Sequence, residues 1–542
     1  MIQYQVGSTS RRPRECGGFA SSAAYDVVRR LNQAVTPNHR ISLTNKILSH
    51  WGCTSLSPNY FDSLLKAGVT ETLCLHLGSI FNCEETKQQD VENIITILKI
   101  VYGRCAQEAR DESLAQIGRE LFHLLLRAMH HGAILPVLSI LHICSGSLQG
   151  TNLLFECRIM SFIATVFDRE EVDADIKLTE LLGLLKNLSY FGEDHRLVMA
   201  ENPFITLNLL SRIPFSNGSS EKNLERFSAI LRNLALVPSS RPLLSQQSSL
   251  LSAVARKGKY RNKHIHRNVL NFFLALAVDF DSCVILCLHG DGIILSFFKR
   301  MLTNETDSVI RKHSVRIIIR LLACEGPASL LIHDTALMKS LSQRALHDIS
   351  NEVRREACDA IVQISRFIDA TMQEHCLILD TLTHLASSPV ALGAESLAAA
   401  LKKQAEQPIN RMPMAERKML LESLAQIAIS AGTTNDCKEH ACCAIYNLSM
   451  EESSRGEMAT CSILEALVQN AMMLCRDEQE DSERCILGIK ALVNLAEASS
   501  NRKVMAIHSR LLQTLVQYAA LSRAEDTKNY VKGAIVVLVS EL

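Results

Sequence analysis

Apolar and polar residues are arranged along most of the chain with the spacing of short amphipathic helices. In one such segment Ile230, Leu231 and Leu234 fall on a single helical face, with polar residues on the opposite side. Short polar segments such as 190–194 and 499–501 separate the apolar stretches, and their residue types are those that end or begin helices. The 542 residues include only 23 glycines and 12 prolines, so few positions disfavour a helix. The pattern predicts an all-α chain.

A six-residue phrase with a central asparagine recurs along this pattern. It reads LLKNLS at 184–189, ILRNLA at 230–235, AIYNLS at 444–449 and ALVNLA at 491–496. The asparagines of the first pair lie 46 residues apart, and those of the second pair 47. Looser copies between the pairs place Ala275, Leu321 and Gln363 at the asparagine position, and one further unit is expected near Ala405. This period is that of armadillo and HEAT units, and it excludes the shorter tetratricopeptide and ankyrin units.

The phrase, followed by a turn, a short helix and a leucine-rich helix, resembles the armadillo repeat, and residues 351–357 resemble the start of a HEAT-repeat helix. The resemblance implies a right-handed α-solenoid superhelix of about ten armadillo/HEAT-type repeats. We assign residues 91–542 to the repeat array, 36–90 to a degenerate N-terminal capping repeat and 1–35 to a flexible tail. Within the capping repeat we expect helices over 41–51 and 60–77, with a break at 67–69.

The resemblance also implies a function. Armadillo proteins hold an extended segment of a partner along a concave groove, which the third helix of each repeat lines. A primary amide on that helix offers both a donor and an acceptor to a peptide backbone. The candidate partner-binding residues are therefore Asn187, Asn233, Asn447 and Asn494; the alternative is that these side chains satisfy neighbouring groups in the groove wall. We predict a non-catalytic scaffold or adaptor that binds an extended or helical segment of one or more partner proteins.

A nuclear transport adaptor of the importin-alpha type is a less favoured alternative. Such adaptors place a tryptophan four residues before the asparagine, where its ring holds a basic side chain of the cargo. Here that position holds Gly183, Ala229, Cys443 and Lys490, and the single tryptophan, Trp51, lies outside the repeated phrases. The aromatic sockets of that class of adaptor are therefore missing.

The densest basic segment spans residues 256–267. Its cationic side chains are Arg256, Lys257, Lys259, Arg261, Lys263 and Arg267. A cluster of this kind is typical of contacts with phosphate, in nucleic acid or in anionic lipid headgroups, and of localisation signals. A solvated connector between helices is the alternative. The chain as a whole has 57 basic and 57 acidic residues, and this zero net charge argues against a general nucleic-acid binder.

The sequence gives no support for catalysis. It contains no phosphate-binding Gly-x-x-x-x-Gly-Lys-Ser/Thr loop, no Gly-x-Ser-x-Gly elbow and no His-Glu-x-x-His helix. Cys437, His440, Cys442 and Cys443 are metal-ligand types, but they do not all share one helical face, and no second ligand pair follows at zinc-module spacing. We therefore expect neither enzyme activity nor a metal or other cofactor.

Cysteine usage and the N-terminal sequence bear on the compartment. The 18 cysteines are spread over the whole chain, which is typical of reduced thiols in an intracellular protein, cytoplasmic or nuclear. No segment reaches the 18 apolar residues that a transmembrane helix needs. Residues 1–22 lack the apolar core of a secretory signal. Arg11, Arg12 and Arg14 leave a mitochondrial transit peptide as the less favoured alternative.

Overall fold

The computed structural model is helical throughout the residues that it describes, and no strand occurs among them. These residues are 17–34, 37–53, 56–81, 88–130, 132–169, 175–202, 205, 220–256, 262–368, 370–372, 374–387, 394–472, 483–521 and 525–542. The chain divides into two compact units, residues 1–250 and 251–542.

The first unit begins with a helix and continues as successive two- and three-helix repeats. Its described helices are α1 Gly17–Gln33, α2 Pro37–Cys53, α3 Pro58–Lys66, α4 Val69–Phe81, α5 Gln88–Arg104, α6 Gln107–His130, α7 Ile134–Cys144, α8 Leu148–Glu156, α9 Ile159–Arg169, α10 Asp175–Leu188, α11 Glu193–Glu201, α12 Glu221–Ala235 and α13 Ser240–Ser245. The boundary between the two units falls inside α14, Ser248–Arg256.

The second unit repeats a short helix, a longer helix and a third helix. Its described helices are α15 Lys263–Leu276, α16 Phe280–Leu288, α17 Ile293–Asn304, α18 Ser308–Leu322, α19 Glu325–Leu331, α20 Thr335–His347, α21 Asn351–Ser365, α22 His375–Ala386, α23 Ala394–Glu406, α24 Pro408–Ala415, α25 Lys418–Ile429, α26 Asn435–Ser449, α27 Arg455–Met458, α28 Cys461–Ala471, α29 Glu483–Glu497, α30 Ser499–Ala506, α31 Leu511–Leu521 and α32 Glu525–Val539.

The helices that close successive repeats pack side by side within each unit, and we call them the third helices. In the first unit they are α2, α5, α7, α10 and α12, each packed on the next. In the second unit they are α15, α18, α21, α23, α26, α29 and α32, again each packed on the next. One helix of each repeat therefore faces its counterpart in the following repeat, as in a solenoid. The predicted all-α solenoid of armadillo/HEAT type is confirmed.

Side-chain caps fix where many third helices begin. The Ser220 hydroxyl accepts a hydrogen bond from the backbone N–H of Asn223 at the start of α12. Asp307 accepts from the N–H groups of Val309 and Ile310 in α18, and Thr434 caps α26 in the same way. Such caps satisfy backbone donors that have no partner inside the helix, and each contributes about 1 kcal/mol.

Leucines of the repeated phrase form the core between neighbouring repeats. In α10, Leu184, Leu185 and Leu188 of the phrase are completely buried, as is Leu181 just before it. Burial of one such side chain stabilises the fold by about 1.5–3 kcal/mol. Because the apolar face of one repeat is covered by the next, removal of a repeat would expose the core of its neighbours.

The N-terminal assignment was wrong in part. Residues 17–33, expected in a flexible tail, form α1, and Ala24, Val28 and Leu31 on its inner face are buried. A hydrogen bond of 3.0 Å between His76 Nε2 and the Leu31 carbonyl joins α1 to α4. The spacing of the three apolar residues is helical, but the arginines and serines before them hide the pattern. Residues 1–16 lie outside the described residues.

Residues 36–90 contain helices at the predicted places. The segments 41–51 and 60–77 fall within α2, α3 and α4. The expected break at 67–69 is present at Gly68, whose φ of 81° lies in the left-handed region that favours glycine. Since α1 packs on α3 and α4, this segment follows another packed helix and is not the first element of the array.

Among the described residues, no single helix is both long enough and apolar enough to cross a membrane. One sharply bent pair, Phe280–Leu288 with Ile293–Asn304, meets the requirement by combined length and composition only.

Candidate partner-binding surface

The repeated asparagines use their amide nitrogens inside the fold. Asn187 Nδ2 donates to the carbonyl oxygen of His142 at 3.2 Å and to Ser145 Oγ at 3.1 Å. His142 belongs to α7, the third helix of the preceding repeat, and Ser145 is its C-cap. The side chain therefore joins two neighbouring repeats.

Two other asparagines of the phrase make the equivalent hydrogen bond. Asn233 Nδ2 donates to Ser189 Oγ at 3.0 Å, and Asn494 Nδ2 donates to Ser449 Oγ at 3.0 Å. The accepting serines end the phrases LLKNLS and AIYNLS, so the last residue of one phrase accepts from the asparagine of the next. The asparagine and the serine of the phrase are thus a repeat-to-repeat hydrogen-bonding pair.

Asn447 departs from this arrangement. Its Nδ2 lies 3.8 Å from the Sγ of Cys443, one turn earlier on its own helix. Sulfur is a weak acceptor, so this contact is weaker than the bonds to serine. Asn447 and Asn233 are also buried, with 9% and 3% of their surfaces exposed, whereas Asn187 and Asn494 are half-buried. The four asparagines are therefore not equivalent, and their contact with a partner stays a prediction.

One residue that joins repeats in the middle of the array, Arg320, was missed in the sequence. Arg320 donates from its guanidinium to the carbonyl oxygen of Leu274 on the preceding third helix. Arg320 lies thirteen residues after the N-cap Asp307, just as Asn447 lies thirteen residues after the N-cap Thr434. The alignment on apolar residues had placed Leu321 there, one residue too late. The capping residue was the signal that gives the correct register.

Gln404 supplies a comparable donor where a unit was expected near Ala405. Its Nε2 donates to the carbonyl oxygens of Ser365 and Ile368, the latter at 2.9 Å, and the side chain is buried. Its Oε1 in turn accepts from Asn410 Nδ2 at 3.1 Å. In this repeat glutamine thus takes the place of asparagine, and it donates to backbone carbonyl oxygens of the preceding repeat.

A second repeated device, also missed, caps the C-terminal ends of third helices. It consists of an arginine whose Nε donates to the carbonyl oxygen six residues earlier, at 3.0–3.2 Å. The arginines that do so are Arg241, Arg411, Arg455 and Arg502. A cation placed at the carbonyl end of a helix satisfies orphan acceptors and interacts favourably with the helix dipole. These arginines are consequently occupied within the fold.

The basic segment 256–267 is only partly described. Lys257, Lys259 and Arg261 lie outside the described residues. Arg256 and Lys263 are exposed. Arg267 forms an ion pair with Asp307, with a distance of 2.6 Å between Nη2 and Oδ2, so its charge is partly compensated.

A buried ion pair joins the repeats near the centre of the second unit. Arg311 binds both carboxylate oxygens of Asp348 at 2.7 Å, and Arg344 contacts the same carboxylate at 3.4 Å. Burial alone would raise the pKa of Asp348, but hydrogen bonds from Arg311 and from the Ser350 N–H, with the charges of Arg311 and Arg344, hold that pKa below its ordinary value. The carboxylate is therefore ionised at neutral pH.

The candidate metal ligands do not form a site. Cys437 and Cys442 are buried in α26, and burial raises the pKa of Cys442 to about 12. Within the described part of the chain, no group of three His, Cys, Asp or Glu side chains is placed to hold a metal ion.

Comparison of the sequence with known proteins gives no match. No protein-family model matches the chain, and no curated protein is similar to it. The structural comparisons, in contrast, match the fold over almost the whole chain.

Two solved structures share this fold clearly. A chain from a structure of the cadherin and beta-catenin interaction has a TM-score of 0.58 and 12% identity, covering 95% of this chain and 99% of its own. A structure of Uso1-1 has a TM-score of 0.52 and 11% identity, covering 95% and 94%. A structure of UNC-45 from Drosophila melanogaster matches with a TM-score of 0.43 and 13% identity, covering 98% and 80%. The first two of these matches support the conclusion that the chain has the fold of the armadillo/HEAT-type repeat proteins.

Proposed function

We propose that this protein is a non-catalytic scaffold or adaptor that binds a segment of a partner protein along its third helices. The observation that carries the proposal is the side-by-side packing of consecutive third helices in each unit, because it presents one row of side chains from every repeat. Such a surface suits an extended or helical segment better than a small molecule, which needs a concave, mostly enclosed cavity.

The surface of α26 and α29 offers the mixture of groups that protein recognition uses. Tyr446 and Leu487 are half-buried and supply apolar area, and Lys490 is an exposed cation. Asn494 is half-buried, and while its Nδ2 bonds to Ser449, its carbonyl oxygen supplies an acceptor. Aromatic residues with flanking polar groups are common at the centre of protein interfaces.

The fold comparison supports the same class of function. The structure most similar among those described above concerns the interaction of beta-catenin with cadherin, that is, of one protein with another. Similarity at 12% identity does not transfer a partner, so cadherin is not proposed as a ligand of this chain. An intracellular location, cytoplasmic or nuclear, fits the buried free thiols and is part of the proposal.

The test is capture of partners by the full chain and by two matched variants. The surface variant is Tyr446→Ala with Lys490→Glu on third helices, and the control is Met419→Ala with Lys418→Glu at the exposed start of α25. Captured proteins are identified by mass spectrometry, and the affinity of each purified partner is then measured. We expect the surface variant to lose partners that the control retains.

The asparagines are less suitable for this test. Because Asn187, Asn233 and Asn494 bond to the preceding repeat, alanine there disturbs repeat packing as well as any contact with a partner. If the surface variant and the control retain the same partners with equal affinity, the binding surface does not include α26 and α29, and the proposal is wrong for this surface.

A further inference from the structure

Three consecutive third helices carry a cation at the same position. Arg267, Lys312 and Arg355 are each the fifth residue after the N-cap of α15, α18 and α21. Because α15 packs on α18 and α18 packs on α21, these positions form a row across neighbouring repeats. The Arg267 side chain is 40% exposed, that of Lys312 is 22% exposed, and Arg355 is exposed. We call these three residues the cation row.

The cation row is local to these helices. Counting five residues from the N-cap leads to Glu225 in α12 and to Glu439 in α26, so other third helices carry the opposite charge at this position. The row also lies where the repeated asparagine is absent. The chain therefore changes its surface chemistry between the ends and the middle of the array.

Two cations of the row and Arg316 lie close enough to His313 to affect its imidazole. His313 lies beside Lys312 on α18. Burial lowers the pKa of its imidazole, and the charges of Arg316, Lys312 and Arg267 lower it further, against the opposing effect of Asp307. Three cations thus act on His313, and each of them is itself paired with a carboxylate, Arg316 with Glu356 at 2.6 Å.

Carboxylates divide the row into separate cationic points. Asp307 pairs with Arg267 at 2.6 Å, and Glu352 pairs with Lys312 at 2.5 Å. Glu352 is 71% exposed, so its pair with Lys312 is weak and exchanges partners readily, whereas Asp307 is only 9% exposed and keeps Arg267 paired. A nucleic-acid backbone carries a charge on every nucleotide and would meet these carboxylates with like charge, whereas a peptide can place neutral residues opposite them.

We propose that an extended acidic segment of a partner protein docks across α15, α18 and α21, with its carboxylates on the cation row. Packed helices lie about 8–10 Å apart. An extended chain advances about 3.3 Å per residue, so acidic residues about three positions apart match successive repeats. This inference rests on the proposed function and states the chemistry of the partner segment that binds at the middle repeats.

The experiment measures binding of a labelled probe peptide to the full chain by fluorescence anisotropy. The probe has glutamate at every third position of a twelve-residue Ala/Ser background, and the control peptide has glutamine there. The row variant is Lys312→Gln with Arg355→Gln. The matched control, Lys418→Gln with Lys503→Gln, removes two exposed cations that are not on third helices. Circular dichroism and thermal melting verify that both variants are folded.

We expect the glutamate probe to bind the wild type and the glutamine peptide to bind far more weakly. An exposed ion pair changes affinity about twofold to fivefold, so the row variant should bind the probe about tenfold more weakly and the control variant should match the wild type. Binding should also weaken as salt rises.

Three results would overturn the inference. One is absence of probe binding to the wild type. Another is an equal loss of affinity in the row variant and the control. The third is that a single-stranded dT oligonucleotide of twelve residues binds more tightly than the probe and loses affinity in the row variant, since the row would then serve phosphates. Partner capture through Tyr446 and Lys490 uses other residues, so the scaffold proposal is judged separately.

Discussion

Arg311 and Asp348, 37 residues apart in sequence, form a two-point ion pair in which Nε and Nη2 each lie 2.7 Å from a carboxylate oxygen. Their side chains are only 7% and 0% exposed. Arg311 also donates to the carbonyl oxygens of Glu305 and Thr306, so one guanidinium joins α18, the turn before it and the turn before α21. A buried charge of this kind depends on its partner much more than an exposed charge does.

Loss of this arginine should destabilise the second unit strongly. Arg311→Ala leaves the buried Asp348 carboxylate with the Ser350 N–H at 2.9 Å and the 3.4 Å contact to Arg344 as its remaining partners, and we expect a loss of about 3–5 kcal/mol in the free energy of unfolding. The measurement is thermal and urea unfolding followed by circular dichroism. Lys403→Ala removes an exposed pair with Glu406 and should cost less than about 1 kcal/mol. Equal effects of the two substitutions would contradict the structural role given to Arg311.

Acid should weaken the same region through Asp348 and Asp307. Burial raises the pKa of each carboxyl. Hydrogen bonds from arginine and from backbone N–H groups lower it by more, so both pKa values lie below the ordinary value. A carboxyl with a depressed folded-state pKa stabilises the fold fully above its unfolded pKa of about 3.9. That contribution is lost as the pH falls through the folded-state pKa.

The measurement for this acid effect is the thermal midpoint of the wild type and of Asp348→Asn between pH 7 and pH 3. We expect the substitution to lower the midpoint at pH 7, where the carboxylate stabilises the fold. The difference between the two proteins should shrink toward pH 3. A difference that is independent of pH would show that the Asp348 charge does not contribute.

The asparagine–serine pairs should be energetically coupled. A double-mutant cycle on Asn233 and Ser189 removes each partner by alanine substitution, singly and together. We expect each single variant to lose about 1 kcal/mol and the pair to show a coupling of about 0.5–1.5 kcal/mol. A second cycle on Asn494 and Ser449 should give a similar coupling because the donor, the acceptor and the distance of 3.0 Å are the same. Additive losses in both cycles would mean that these hydrogen bonds do not stabilise the repeat stack.

The repeated phrase was sufficient to predict the architecture because its leucines report burial directly. Leu188 and Leu234 are completely buried, as the helical spacing predicts. The recurrence of such leucines gives the period of the array. The role of the asparagine in the phrase was not predictable in the same way. The accepting serine lies 42 to 45 residues before the asparagine, and only the stacking of two repeats brings Ser145 within reach of Asn187.

The register failed in one middle repeat for a different reason, whereas Ala275 and Gln363 lie thirteen residues after their N-caps as the alignment requires. Leu321 is apolar and follows Arg320, so an alignment on apolar residues moves the frame by one position. The chain itself fixes the frame at the capping residue Asp307, whose carboxylate accepts from the first N–H groups of α18. The guanidinium of Arg320 then reaches the carbonyl oxygen of Leu274, a use of arginine that periodicity alone does not reveal.

Gly183, just before the phrase LLKNLS, occupies a position at which the structure leaves no room for a larger side chain. A Cβ atom built on Gly183 would lie 2.3 Å from Cε1 of His142, whose ring therefore covers the position four residues before Asn187. Nδ1 of His142 is held by Glu180 at 2.7 Å, so the ring is not free to move away. The position that holds tryptophan in importin-alpha-type adaptors is closed in this repeat by a residue of the neighbouring repeat.

Gly183→Ala should therefore destabilise the first unit, although alanine is the better helix former. We expect a loss of about 1–3 kcal/mol from overpacking, measured by thermal and urea unfolding. Gly533→Ala is the matched control, because nothing lies near its Cβ, and it should stabilise α32 by up to about 1 kcal/mol. Combining Gly183→Ala with His142→Ala removes the clash, so the double variant should be more stable than the sum of the single losses indicates. A Gly183→Ala protein as stable as the wild type would show that the His142 ring does not close this position.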